Sequence, residues 1–385
     1  MPCGDAESER KTCREAGGDD MELHEAADIF RHFAVDADVC GCEAFGNGNI
    51  NTTYRVRCTD GKSYTLQRIN TVVFPDPDAL MKNIVGVTGF LGEKLKKSGR
   101  DPEREALHIV PCREGGYYYT DKGGKCWRVC LFVDRATAYD AADRPGLLYE
   151  AARMFGSFQR DLNDYPAAEL YEVIPDFHHT GKRYLAFEEA VRRDAAGRAE
   201  QIPQEIAALR RYASRATLIT DRLEAGSIPT RVTHNDTKLN NVLIDETTGK
   251  GVCVIDLDTV MPGSLLYDFG DSVRFAANNG AEDDTDLSRI WLDLDRYREY
   301  LSGFLAGVQD SITGDERELL PMSVFILTYE LALRFATDYL NGDTYFRIRY
   351  PEHNLVRTRA QIRLMEDIDG KLDRMAQIVR EECGK

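Results

Sequence analysis

No run of apolar residues in this 385-residue chain approaches the roughly 18 that a bilayer-spanning helix needs. Cys-x-x-Cys is missing, and no His stands at zinc-site spacing from Cys40/Cys42 or Cys126/Cys130. A zinc module is therefore excluded. No Gly-x-x-x-x-Gly-Lys-Ser/Thr occurs, which excludes a Walker A loop, and Gly46-Asn47-Gly48 lacks the third glycine of a dinucleotide fingerprint. Basic residues are in deficit, 49 against 65 acidic, for a formal net charge of −16. That balance argues against nucleic acid or an anionic membrane as a partner. Residues 1–20 lack the apolar core of a secretory signal and read as a disordered lead-in. Internal repeats and low-complexity tracts are missing too.

The chain does have enough length for two lobes. Its ten cysteines include several inside apolar strand patterns, where a free thiol acts as a small hydrophobe. A reduced, cytoplasmic protein is expected. The first third reads as β-rich. After a short helix over 23–33, strands flank the Gly46–Asn49 turn, and another runs over 63–70. A helix over 79–97 follows, then strands over 108–111, 116–120 and 125–133. Helical periodicity dominates thereafter, over 149–162, 183–194, 202–223, 287–308 and 319–340. The expected fold is α+β and bilobal, with a β-rich N-lobe over 21–133 and a mostly helical C-lobe over 134–385.

The most informative stretch is Thr233-His234-Asn235-Asp236-Thr237-Lys238-Leu239-Asn240-Asn241, which runs into an apolar strand, a turn at 247–250 and a second strand ending at Ile255-Asp256. A hairpin of this kind brings Asp236, Asn241 and Asp256 to one end. Those residue types suit phosphoryl transfer. One carboxylate orients a hydroxyl and accepts its proton, while an amide oxygen and a second carboxylate are hard ligands for Mg²⁺. Lys238 can neutralise charge on the transferring group. His-x-Asp-x-x-x-x-Asn followed by Ile-Asp is the kinase-like catalytic and metal-binding pattern.

Other candidates sit elsewhere. Gly46, Asn47 and Gly48 form a turn whose backbone N–H groups suit phosphate oxygens. Gln67 or Arg68, on opposite faces of one strand, stands where a phosphate-pairing base is needed. Phe132 and Asp134 lie where the last strand leaves its sheet, a hinge whose backbone suits an adenine. Glu330, Arg334 and Asp338 share a helix face, either as a surface ion-pair ladder or as part of a site.

These motifs, with Tyr267-Asp268-Phe269-Gly270-Asp271 and Gly46–Tyr54, resemble the aminoglycoside phosphotransferase (choline kinase-like) superfamily. Within it, Asp258–Gly263, Phe269–Phe275, Leu340–Phe346 and His353–Arg359 are similar to the N-acetylhexosamine 1-kinase subfamily. The resemblance covers roughly Phe30 to Arg374. It implies a protein-kinase-like fold with ATP bound through the N-lobe, Mg²⁺ on Asn241 and Asp256, and Asp236 as catalytic base. Asp258 would be a second metal or substrate contact, and Asp268 would hold the catalytic loop by hydrogen bonds. Arg334 and Tyr345 would contact a small-molecule sugar. The rival expectations are a kinase of the same fold acting on an aminoglycoside or amine alcohol, and an inactive nucleotide-binding scaffold.

Overall fold

The computed structural model describes residues 21–46 and 50–384; the expected lead-in at 1–20 and the turn residues Asn47, Gly48 and Asn49 lie outside the described residues. The chain divides into two compact units. The first ends at Met81 and resumes over Leu107–Asp134, and the second comprises Lys82–Ala106 and Arg135–Lys385.

In the first unit, helix α1 (Leu23–Phe30) precedes strands β1 (Val39–Ala44), β2 (Thr52–Cys58) and β3 (Ser63–Ile69). Strands β4 (Ile109–Val110), β5 (Tyr119–Thr120) and β6 (Cys126–Leu131) complete an antiparallel sheet ordered β1-β2-β3-β6-β4, with β5 also on β6. Alternation along the strands sends every second side chain to one face. Tyr54, Val56, Tyr64, Leu66, Trp127 and Val129 pack with Ala26, Ile29 and Phe30 of α1 on that face. Burial pushes the thiols of Cys58 and Cys42 up, to about 12 and about 11, so both stay protonated at neutral pH.

Helix α2 (Pro77–Lys97) starts in the first unit, but residues 82–106 group with the second, although sequence reading assigned all of 21–133 to one lobe. Side-chain bonds give the reason. Asn83 donates to Tyr171 O (2.8 Å) and Val260 O (2.9 Å). Arg100 pairs with Asp161 at 2.9 Å, and Arg104, in α3 (Pro102–Glu105), pairs with Asp245.

The second unit continues with β7 (Ala136–Thr137), α4 (Leu147–Asp161), α5 (Thr180–Arg193), α6 (Pro203–Arg211) and α7 (Leu218–Glu224). Strands β8 (Arg231–Thr233), β9 (Val242–Asp245), β10 (Gly251–Val254) and β11 (Met261–Gly263) precede α8 (Leu265–Ala276), α9 (Leu294–Val308), α10 (Gly314–Leu340), α11 (His353–Asp369) and α12 (Leu372–Cys383). The helix expected over 202–223 is two helices. Tyr212 and Arg215, at the break, bond the Asp369 carboxylate at 3.1 and 2.7 Å, which stabilises a turn where periodicity alone runs on. The helix expected over 287–308 begins later, at Leu294, because the Asp293 side chain caps it through the N–H groups of Asp295 and Arg296.

Helix α10 is long and apolar enough to cross a bilayer, but 78% of its apolar window is buried in the protein, where it forms the centre of the second core. Glycines let α4 and α9 approach closely. A Cβ on Gly156, Gly303 or Gly307 would fall on backbone atoms of the facing helix. Gly307→Ala is therefore expected to destabilise the protein by about 1–3 kcal/mol in urea unfolding. A variant as stable as wild type would show that the two helices separate freely.

Candidate active site

The candidate catalytic stretch begins where β8 ends. Asn235 adopts left-handed backbone (φ +65°), which asparagine tolerates better than most residues. Its amide nitrogen donates to Thr233 O (3.1 Å) and Thr259 O (2.8 Å), tying both sides of the loop together. His234 is fully buried against Phe155 and Phe158. Its Nδ1 accepts from Asp236 N (3.3 Å), so Nε2 carries the proton and donates to Ile255 O (2.9 Å).

Asp268, on the first turn of α8, is the peg for this loop. One oxygen accepts from His234 N (3.0 Å) and Gln159 Nε2 (2.6 Å), the other from Asn235 N (2.8 Å). Burial holds its pKa above the ordinary carboxylate value, against those donors. Thr237 Oγ1 donates to Asp268 O, and Ser272 Oγ donates to Thr237 O, each at 2.7 Å. The loop backbone is thus held from α8 while the Asp236 side chain stays partly exposed.

Asp236 Oδ1 lies 2.8 Å from Lys238 Nζ. Partial burial opposes the Lys238 charge, but Asp236 beside it, with Asp271 and Asp256 further off, outweighs burial and holds its pKa up. Asn241 spends its amide nitrogen on Asp236, at 2.8 Å to the backbone oxygen and 3.4 Å to the carboxylate. Ile255 N donates to Asn241 O (2.9 Å), so the ladder of β9 and β10 brings Asn241 beside the residue preceding Asp256. Asp256 is exposed and left-handed (φ +59°), turned outward as the strand ends. Asp258, two residues on, is buried. The hairpin therefore gathers Asp236, Lys238, Asn241 and Asp256. The ladder of β8 with β11 brackets it.

A second group of side chains lies against α8. Tyr267 packs on His178 (ring centroids 5.1 Å apart), and His178 Nδ1 is 2.8 Å from Glu330 Oε1. The other Glu330 oxygen accepts from Thr180 at 2.7 Å. The surface ladder expected as one reading of Glu330, Arg334 and Asp338 does not form, because Glu330 and Asp338 are buried and bond elsewhere. Asp338 accepts from the backbone N–H groups of Thr344, Tyr345 and Phe346 at 2.8–2.9 Å and from Asn354, so it shapes the loop that carries Tyr345. Arg334 sits over the rings of Phe177, Tyr345 and Phe346 at 5.4–5.9 Å, and Tyr345 is 68% exposed.

The first unit settles the faces of Gln67 and Arg68. Arg68 pairs across the sheet with Trp127, on the face that packs with α1, and donates to Thr52 Oγ1. Gln67 lies on the opposite face, opposite Arg128. It accepts from Arg128 Nε (3.0 Å) and donates to Thr53 Oγ1 (3.1 Å). On that face Arg55 lies over the Phe132 ring at 4.3 Å and reaches Asp134 at 3.1 Å. Gly46 has φ +78°. Asn47 and Gly48, the other two turn candidates, fall outside the described residues.

Against known proteins, the profile of the phosphotransferase enzyme family matches residues 41–300, about two-thirds of the chain. The chain belongs to this family. An aminoglycoside phosphotransferase from Alicyclobacillus acidocaldarius has a similar structure, with 15% identity, coverage of 92% of this chain and 96% of that one, and a TM-score of 0.62. A microcompartment-associated aminopropanol kinase matches with 17% identity, 92% and 99% coverage and a TM-score of 0.60. Spectinomycin phosphotransferase, solved with ADP and spectinomycin, matches with 13% identity, 92% and 99% coverage and a TM-score of 0.57. At such identities the likeness is one of fold, and the fold of this phosphotransferase is kinase-like. Sequence reasoning missed His178, Arg183 and Arg128. None stands in a spaced motif, and each gains its neighbours only through tertiary packing.

Proposed function

We propose that this phosphotransferase transfers the γ-phosphoryl group of ATP, with Mg²⁺, to the anomeric hydroxyl of an N-acetylhexosamine such as N-acetylglucosamine or N-acetylgalactosamine. The observation that carries the reading is the Asp236 carboxylate, held by a pegged loop beside Lys238, in the same unit as the Arg334–Tyr345 group. Asp236 orients O1 and takes its proton. The O1–phosphorus bond forms as the bond from phosphorus to the bridging oxygen of ADP breaks, and ADP leaves with that electron pair. Lys238 exchanges its ion pair with Asp236 for the charge on the transferring group.

The residues present fit Mg²⁺. Asn241 has its amide nitrogen committed to Asp236, which leaves the oxygen for a ligand, and Asp256 is exposed. Among the described residues no cluster of three or more His, Cys, Asp or Glu could hold a metal, and Mg²⁺ characteristically takes only one or two protein carboxylates with substrate phosphates and water. Bound there, the ion would neutralise phosphate charge. In the first unit, Gln67 and Arg128 are the candidates to meet nucleotide phosphates, and Arg68 is withdrawn from that role because it faces α1. Asp258, buried two residues beyond Asp256, is kept as the candidate for a second metal or substrate contact. Cys58, Cys126, Cys130 and Cys253 are buried as small hydrophobes, which supports action in a reducing cytoplasm.

The choice of O1 rests on the subfamily resemblance and on chemistry. The anomeric hydroxyl is the most acidic on a reducing sugar, so an ordinary carboxylate base suits it. N-acetylglucosamine, its 1-O-methyl glycoside and glucose are the discriminating set, with phosphorus NMR of the products. A sugar 1-phosphate from N-acetylglucosamine and no product from the glycoside are expected. Phosphorylation of the glycoside at the rate of the free sugar would place the acceptor at another hydroxyl.

A further inference from the structure

Arg183 and Arg334 form an unusual pair. Arg334 lies over the ring of Phe177, and Arg183 Nη2 donates to the carbonyl oxygen of the same residue (3.0 Å). The Arg183 Nε is buried and has no hydrogen-bond partner among the described residues. The nearby carboxylates are already engaged. Glu330 is held by His178 and Thr180, and Asp176 is held by Lys182 at 2.7 Å. Arg183 is only half-buried, whereas the buried Arg231 and Arg274 each sit within 2.7 Å of a carboxylate. Burial and the neighbouring Arg334 charge push the Arg183 pKa down, against the opposite pull of Glu330 and Asp176.

Among the described residues neither guanidinium has a carboxylate within ion-pair distance, so a ligand that brings acceptors finds donors to spare. A ligand that brings a cation meets like charge instead. We propose that Arg183, with Arg334, is a specificity-determining pair that hydrogen-bonds an acyl oxygen of the acceptor substrate and rejects substrates carrying an ammonium group. The inference rests on the function proposed above and sharpens it. It separates this chain from kinases of amine alcohols by charge, although the fold is shared.

The test measures kcat/KM for N-acetylglucosamine, glucosamine, glucose and ethanolamine at a pH where both amines are protonated. Wild type is expected to prefer N-acetylglucosamine to glucosamine by about 100-fold or more. Arg183→Gln should narrow that ratio about tenfold, mainly through the KM for N-acetylglucosamine, with the KM for ATP and the melting temperature little changed. Arg183→Lys, which keeps the charge but loses the planar fork, should retain rejection of glucosamine. Arg334→Gln supplies the same readout should Arg183→Gln fail to fold. A wild-type N-acetylglucosamine kinase whose ratio is unmoved in both Gln variants would overturn this inference alone. Wild type that prefers ethanolamine or glucosamine, or uses none of the four, would overturn the sugar reading and this inference together.

Discussion

Asp236→Asn is expected to lower turnover by on the order of 10²–10⁴-fold or more while leaving the fold and nucleotide affinity close to wild type. Asparagine matches aspartate in size but cannot take a proton, and it loses the attraction for Lys238 across 2.8 Å. The loop itself should not move, because its anchors lie elsewhere. His234 N and Asn235 N remain on Asp268, and Asn241 Nδ2 remains on the backbone oxygen of residue 236. A coupled assay of ADP release with N-acetylglucosamine, paired with calorimetry of ADP binding and a thermal melt, separates the outcomes. Turnover within a few-fold of wild type would remove Asp236 from the chemistry. A collapse in melting temperature would instead show that its charge is needed for folding.

The largest loss of stability is expected at Glu316. Arg231, on the strand leading into the Asp236 loop, is 6% exposed, and Glu316, at the start of α10, is fully buried. They meet through two hydrogen bonds, at 2.6 and 2.7 Å, and Arg231 also donates to Ser311 O at 2.6 Å. Glu316 has a second task, since its side chain completes the capping box with Thr313. Glu316→Ala strands a buried guanidinium and removes the Thr313 N–H partner from the capping box of a 27-residue helix. Breaking such a pair on one side costs about 3–5 kcal/mol. Replacing both partners, as Arg231→Met with Glu316→Leu, should cost less than the single change because no uncompensated charge remains. Urea unfolding of the single and double variants tests this. A single variant within about 1 kcal/mol of wild type would mean that water reaches the pair and screens it.

Some features of this phosphotransferase are local, and the residues alone reveal them. The candidate catalytic stretch is such a case, since Asp236, Asn241 and Asp256 converge through one tight hairpin whose strands announce themselves by apolar, β-branched runs. The strands of the first unit are similar, because period-2 burial is a property of each strand by itself. Helix ends were less legible. The break between α6 and α7 depends on Asp369, more than 150 positions along the chain, and no nearby signal announces it.

What the sequence by itself determined, then, is the kinase-like order of strands and helices and the hairpin that brings Asp236, Asn241 and Asp256 together, because spacing in a hairpin fixes neighbours without reference to the rest of the chain. Only the tertiary structure decided that Asp268 pegs the Asp236 loop and that residues 82–106 join the helical unit. It alone decided that Gln67 shares its face with Arg128 while Arg68 turns toward α1. The same holds for Arg183 and Arg334, which are 151 positions apart and become neighbours around Phe177 only when α5 packs on α10. The physical reason is common to all of them. A buried charge or donor takes its meaning from what surrounds it, and long-range packing, not spacing along the chain, supplies those surroundings.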